Sequence, residues 1–70
     1  MHVLKINGTE KSFAKGDLPG TLMELLAHMK INHATVVAEI DGKIVNRSDF
    51  ADTPLSDGQS VELVRFVGGG

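Results

Sequence analysis

Thr35-Val36-Val37-Ala38-Glu39-Ile40-Asp41-Gly42-Lys43-Ile44-Val45 is the stretch on which the fold turns. The apolar, largely β-branched run from Thr35 to Ile40 reads as a buried strand. Asp41-Gly42 is a dipeptide that tolerates positive φ at both centres of a type I′ turn, and Lys43 to Val45 then begins the returning strand. Immediately upstream the period changes. Thr21-Leu22-Met23-Glu24 has the spacing of a capping box, in which the threonine oxygen accepts the Glu24 amide and the glutamate reaches back to the Thr21 amide. Leu22, Leu25, Leu26 and Met29 recur at i, i+3, i+4 and i+7, so a helix follows with one apolar stripe to lay on a sheet. His28 and Lys30 sit near the negative end of its dipole, and Asn32 is expected to end it in a left-handed conformation.

Toward the N-terminus, Val3 to Ile6 is a short β-type run and Asn7-Gly8 a second type I′ signal, with Thr9 to Phe13 returning; Leu4, Ile6 and Phe13 alone leave the register of this hairpin open. Ala14 to Gly20 is a loop, punctuated by Gly16, Pro19 and Gly20. Toward the C-terminus, Arg47 to Asp52 around Phe50 reads as a short helical turn ended by Thr53-Pro54, and Asp57-Gly58 as a turn. Val61 to Val67 is the last strand, followed by Gly68-Gly69-Gly70. Two hairpins, one crossing helix and a final strand imply an α+β domain with the helix on one face of the sheet. With a right-handed crossover, and with the last strand placed beside the first as known folds of this pattern place it, the architecture is a β-grasp, ubiquitin-like, with a mixed sheet of four to five strands. Residues 1–67 form that domain, and 68–70 a flexible C-terminal glycine tail.

Seventy residues allow one small core and no deep interlobe cleft. The apolar fraction of 41% and charged fraction of 23% are those of a folded chain. Nine acidic and seven basic side chains are scattered without a run, and Phe13, Phe50 and Phe66 are the aromatics, so a nucleic-acid groove is not expected. No apolar stretch approaches a membrane span and Met1-His2-Val3-Leu4-Lys5 lacks the core of a secretion signal, which points to the cytoplasm. The absence of cysteine removes disulfides, thiolate metal sites and a thiol nucleophile.

The inventory for catalysis is thin. Ser12, Ser48, Ser56 and Ser60 lack a nucleophile-elbow pattern, and the histidines are His2, His28 and His33. His28 and His33, five apart across a helix end, are poorly spaced as two metal ligands on one face, so no metal is expected. The pairs Asp49 with Asp52, and Asp57 with Glu62, are better explained as turn and cap residues than as an acid and a base. No phosphate-binding loop is present, and the terminal glycines precede no helix that could supply its amides. No catalytic residue is assigned.

What stands out is the end of the chain. Three glycines reach roughly 10 Å when extended and, without Cβ atoms, can thread a passage too narrow for other residues. A glycine run alone is equally a solvated terminus. The strand before it adds direction: if Val61 and Leu63 face the helix, Val64 and Phe66 lie on the open face, where a partner could hold the domain while the tail enters its active site.

The chain resembles the ThiS family of sulfur carriers within the ThiS and MoaD group. The resemblance rests on Asn7-Gly8, the helix opening Thr21 to Leu26, Val37 to Val45, Arg47, Leu55-Ser56-Asp57-Gly58, and above all Val61-Glu62-Leu63-Val64-Arg65-Phe66-Val67-Gly68-Gly69-Gly70. It departs from the family in a longer Gly16 to Gly20 loop and in Asn46, where proline is common. The resemblance implies a carrier of thiamine (thiazole) biosynthesis that is not itself an enzyme. A ThiF-like adenylyltransferase, using ATP and magnesium, would convert the Gly70 carboxylate to an acyl adenylate. A cysteine desulfurase or similar donor would supply sulfur for a thiocarboxylate, and thiazole synthase would take it. Gly68 and Gly69 would thread the partner active sites, and Val64, Arg65, Phe66 and Val67 would form the partner-binding surface; the chain itself would bind no cofactor. The alternatives are a MoaD-like small subunit of molybdopterin synthase, a non-covalent ubiquitin-like binding module, and, ranked below them, conjugation to lysines.

Overall fold

A computed structural model of the chain describes residues 1–65. Strand β1 (His2–Ile6) and β2 (Thr9–Phe13) form the first hairpin, and α1 (Leu22–His28) crosses the sheet. A 3-10 turn (His33–Thr35) leads into β3 (Val36–Ile40) and β4 (Lys43–Val45); a second 3-10 segment (Arg47–Asp52) precedes β5 (Ser60–Arg65). The strands lie in the order β2-β1-β5-β3-β4. β5 runs parallel to β1 and antiparallel to β3, so the sheet is mixed and its last strand is central. This is the β-grasp arrangement, five-stranded with one main helix on one face. The expected domain boundary after Val67, and the end of the last strand, lie outside the described residues.

The first hairpin closes with Ile6 opposite Thr9, which fixes the register that Leu4, Ile6 and Phe13 left open. Asn7 (φ 50) and Gly8 (φ 83) form its two-residue turn, and Asp41 (φ 50) and Gly42 (φ 84) repeat the geometry between β3 and β4. His2, Leu4 and Ile6 thereby share a face with Phe13. Leu4, Ile6 and Phe13 from this hairpin, Ala38 and Ile40 from β3 and Val61 and Leu63 from β5 are buried beneath Leu22, Leu25 and Leu26 of the helix. Phe50 and Leu55 close the side of this core.

Thr21 caps the helix: its hydroxyl accepts the Glu24 amide at 3.2 Å. The other half of the expected box differs, because the Glu24 carboxylate accepts the Thr21 hydroxyl, also at 3.2 Å. Gly20 leaves it room; a Cβ there would meet Glu24 Oε2 at 3.0 Å. The helix also ends earlier than expected. Lys30 (φ 59), not Asn32 (φ −71), takes the left-handed position. The Ile31 amide then reaches the Leu26 carbonyl at 2.9 Å and the Lys30 amide the Ala27 carbonyl at 3.1 Å, the pair of bonds of a Schellman end. Ile31 packs on the core beside Leu26, and that apolar contact sets the stop two residues before the asparagine. Asn32 serves instead as the cap of the next turn, its side chain accepting the Ala34 amide at 2.9 Å. Thr35 belongs to that turn and not to β3, its hydroxyl donating to the Asn32 carbonyl. At Asn46, φ is −67, the angle a proline ring would impose, so the departure from the family pattern leaves the backbone path unchanged.

Both type I′ turns also grip β5. Asn7 Oδ1 accepts the Leu63 amide at 2.7 Å, and Asp41 Oδ1 accepts the Ser60 amide at 2.9 Å. Asn7→Gly keeps the left-handed turn and deletes the acceptor, with a smaller added cost from the freer unfolded backbone. Urea denaturation should show a loss of about 1 kcal/mol, with Asn7→Asp, which retains an oxygen, losing less; equal midpoints for the three chains would show that this bond does not hold the strand.

Candidate functional site

The site is built on β5 because that strand leads to the glycines. Its buried residues are Val61 and Leu63, while Glu62, Val64 and Arg65 are exposed. Val61 and Leu63 face the helix and Val64 lies on the opposite, open face, 57% exposed. By the same alternation Arg65 projects to the helix side, opposite Val36 across β3, so the strand sends Val64 and Arg65 to different faces. Phe66, Val67, Gly68, Gly69 and Gly70 lie outside the described residues.

Register with β3 and β4 adds residues that the sequence reading did not assign. Val37 stands directly opposite Val64 and is 41% exposed. Glu39 stands opposite Glu62 on one side and Ile44, 70% exposed, on the other. Over β5, β3 and β4 the open face therefore carries three aliphatic side chains around two carboxylates, and β1 and β2 add Val3, Lys5, Glu10 and Ser12 to the same face. Val36 to Ala38 reads as uniformly apolar and so as buried on both sides; the clue to an open face was Glu39, two residues from Val37 and hence on the same side. Glu39 and Glu62 meet across the strands as like charges, and no cation lies within ion-pair distance of either among the described residues.

The other sequence candidates have structural work. Asp57 Oδ1 accepts the Val3 amide at 2.6 Å while the Gly58 amide donates to the Val3 carbonyl at 2.7 Å, pinning the loop before β5 to β1. The Thr53 hydroxyl donates to the Asp49 carbonyl at 2.6 Å, closing the 3-10 segment. Arg47 donates to the Ala34 carbonyl at 3.2 Å and joins the two 3-10 segments. His28 packs against Phe13 in a tilted arrangement with ring centroids 5.9 Å apart, and the Lys11 ammonium lies 5.8 Å from the Phe13 ring centroid. These residues, with Ser12, Ala14 and Asp17, line an open groove of about 400 Å³ at the end of the sheet away from Arg65. Among the described residues, no three His, Asp or Glu side chains gather as a metal site and no serine hydroxyl is hydrogen-bonded to a histidine. Among them also, no helix is long and apolar enough to cross a membrane.

Comparison with known proteins places this geometry. The ThiS family model matches residues 4–70. The sulfur carrier protein ThiS of Bacillus subtilis (strain 168) is 31% identical over 68 residues, covering 97% of this chain and 100% of that protein. A thiazole synthase of Paramagnetospirillum magneticum is 34% identical over 67 residues, which are 96% of this chain and 20% of that protein. The crystal structure of a thiamine biosynthesis protein (ThiS) from Geobacter metallireducens superposes with a TM-score of 0.81 at 33% identity, over 97% of this chain and 99% of that one.

Glu62→Lys should convert the repulsive cross-strand pair into an attractive one. Thermal unfolding at low salt should then show a gain of about 0.5 kcal/mol that shrinks as salt is added; a lower melting temperature at low salt would contradict this reading of the pair. Match along nearly the whole chain, the shared fold and the strand leading into three glycines agree: the chain belongs to the ThiS family.

Proposed function

We propose that this chain carries sulfur for the thiazole of thiamine, as a carrier and not as an enzyme, with the Gly70 carboxylate as the atom group that is modified. The single observation that supports this most is the central, doubly held β5 running into Gly68-Gly69-Gly70 in a chain of the ThiS family. A carboxylate is a weak electrophile. A ThiF-like adenylyltransferase would make it reactive by transferring AMP from ATP, with magnesium, to the Gly70 oxygen; both ATP and magnesium belong to that partner. The outer sulfur of a persulfide on a cysteine desulfurase or similar donor then attacks the carbonyl carbon and displaces AMP, and a thiol cleaves the resulting acyl disulfide by exchange, ending as a disulfide itself and leaving a thiocarboxylate. The chain's lack of cysteine suits this, since the cargo sits on the main-chain carbonyl carbon.

Thiazole synthase is the acceptor, and the Paramagnetospirillum magneticum protein supports the pairing, because one polypeptide of that name contains a segment similar to nearly all of this chain. Gly68 and Gly69 pass through the partner's channel, and Val64, Phe66 and Val67 with Arg65 meet its outer surface, joined by Val37 and Ile44 on the open face. The MoaD-like reading shares the chemistry, and the named relatives favour the thiamine branch over it.

Incubation with the adenylyltransferase, ATP and a sulfur donor should raise the intact mass by the difference between one sulfur and one oxygen. Deleting Gly70 should abolish that gain and leave the unfolding midpoint unchanged. An unmodified full-length chain under those conditions would refute the carrier reading.

A further inference from the structure

β5 is paired along its whole described length on one side and along less than half of it on the other. Toward β3 the register runs from Val61 opposite Ile40 to Arg65 opposite Val36. Toward β1 it consists of Lys5 with Ser60 and Ile6 with Val61, after which Asn7-Gly8 turns that chain away into β2. The direction of each β5 peptide follows from the bonds at its start. The Asp41 amide donates to the Ser60 carbonyl at 2.8 Å, so Ser60, Glu62 and Val64 direct their amides and carbonyls to β3. Val61, Leu63 and Arg65 direct theirs to the β1 side. There the Asn7 amide donates to the Val61 carbonyl at 2.9 Å and Asn7 Oδ1 takes the Leu63 amide at 2.7 Å. Beyond Asn7 the ladder stops: among the described residues nothing meets the Leu63 carbonyl or the Arg65 amide.

An open length of edge inside a sheet, on its central strand, invites another strand. We propose that thiazole synthase lays an extended segment of its own backbone along this edge, accepting from the Arg65 amide and donating to the Leu63 carbonyl, in line with β1. The proposal rests on the sulfur-carrier reading, which sends the tail out from this same strand and into that enzyme. Three features favour a backbone occupant. The exposed groups are one donor and one acceptor at strand spacing, which an extended peptide matches and a side chain does not. The edge begins where the Asn7 carboxamide has already replaced a main-chain acceptor, so the ladder is in register to continue. Val64, 57% exposed, flanks the edge on the open face and gives an added strand a side chain to pack against. Main-chain pairing fixes the direction of β5 as it enters the enzyme, and so aims the glycines.

Arg65→Pro tests this directly, because the amide it removes has no partner among the described residues, whereas Arg65→Ala removes the side chain and keeps the amide. In titrations against thiazole synthase, Arg65→Pro should bind about tenfold more weakly than Arg65→Ala, while urea midpoints of the two agree. Amide hydrogen exchange on the unsubstituted chain supplies an independent reading that no variant can confound by misfolding. The Arg65 amide should exchange freely alone and slow in the complex. Equal affinity of the two variants, or an Arg65 amide as fast in the complex as outside it, would overturn the proposal while leaving the carrier reading intact. Protection that rises with concentration in the isolated chain would assign the edge to a second copy and overturn it too. Failure of the unsubstituted chain to bind thiazole synthase at all would remove the carrier reading, and this proposal with it.

Discussion

Everything about the C-terminal strand depends on its being held from both sides by the two tight turns. Asn7 and Asp41 each occupy the first left-handed position of a type I′ turn, and each extends a side-chain oxygen to an amide of β5. Asparagine and aspartate are among the few residues that tolerate that backbone conformation, and they are also short acceptors that reach a neighbouring strand. One residue type thus satisfies two demands. The turn that ends β1 and the turn that ends β3 both become clamps on the strand inserted between them. Asp57 adds a third restraint by tying the loop before β5 to the Val3 amide.

That arrangement explains how so small a fold secures its last strand. A terminal segment borne on an edge strand would fray, since edge strands have a single ladder and terminal residues open first. Here the terminal strand is central, with Val61 fully buried and Leu63 nearly so under the helix. The open face bears a different burden: the facing carboxylates of Glu39 and Glu62 cost stability in the free domain and keep a face with three exposed aliphatic residues from being purely apolar.

Much of this was legible in the sequence, and for identifiable reasons. Asn7-Gly8 and Asp41-Gly42 announce type I′ turns because few other dipeptides occupy that geometry cheaply, and both form as expected. Leu22, Leu25 and Leu26 mark the buried stripe because a period of 3.6 has no competing explanation. Three local readings differ: Thr35 belongs to the 3-10 turn and not to β3, and Asn32 looked like the helix stop because its chemistry suits a left-handed residue, but the packing of the partly buried Ile31 on the core outweighed that preference and moved the stop to Lys30. Glu24 likewise answers the Thr21 hydroxyl instead of its amide. Glu39 marks the side on which Val37 lies, but the meeting of Val37 with Val64 and of Glu39 with Glu62 depends on pairing between distant segments, which leaves no trace in local periodicity. The glycines that follow the amphipathic strand are visible in the sequence, and Phe66 to Gly70 lie outside the described residues.

The length of β1 is the least conspicuous of these controls and carries the largest consequence for how the chain can be held. Sheet twist and hairpin geometry would permit a longer first hairpin, and two more residues before the turn would place main-chain groups opposite Leu63 and Arg65. The ladder would then be complete and the strand more stable. With the turn at Asn7-Gly8, one side-chain bond to Leu63 substitutes for the missing pair, and the backbone beyond it stays available on the side facing away from β3. Held as proposed, the chain gains from recognition that does not depend on its side chains, because thiazole synthase can supply a strand of its own backbone. A short β1 is thus the feature by which the fold gives up some of its own pairing to leave pairing for others.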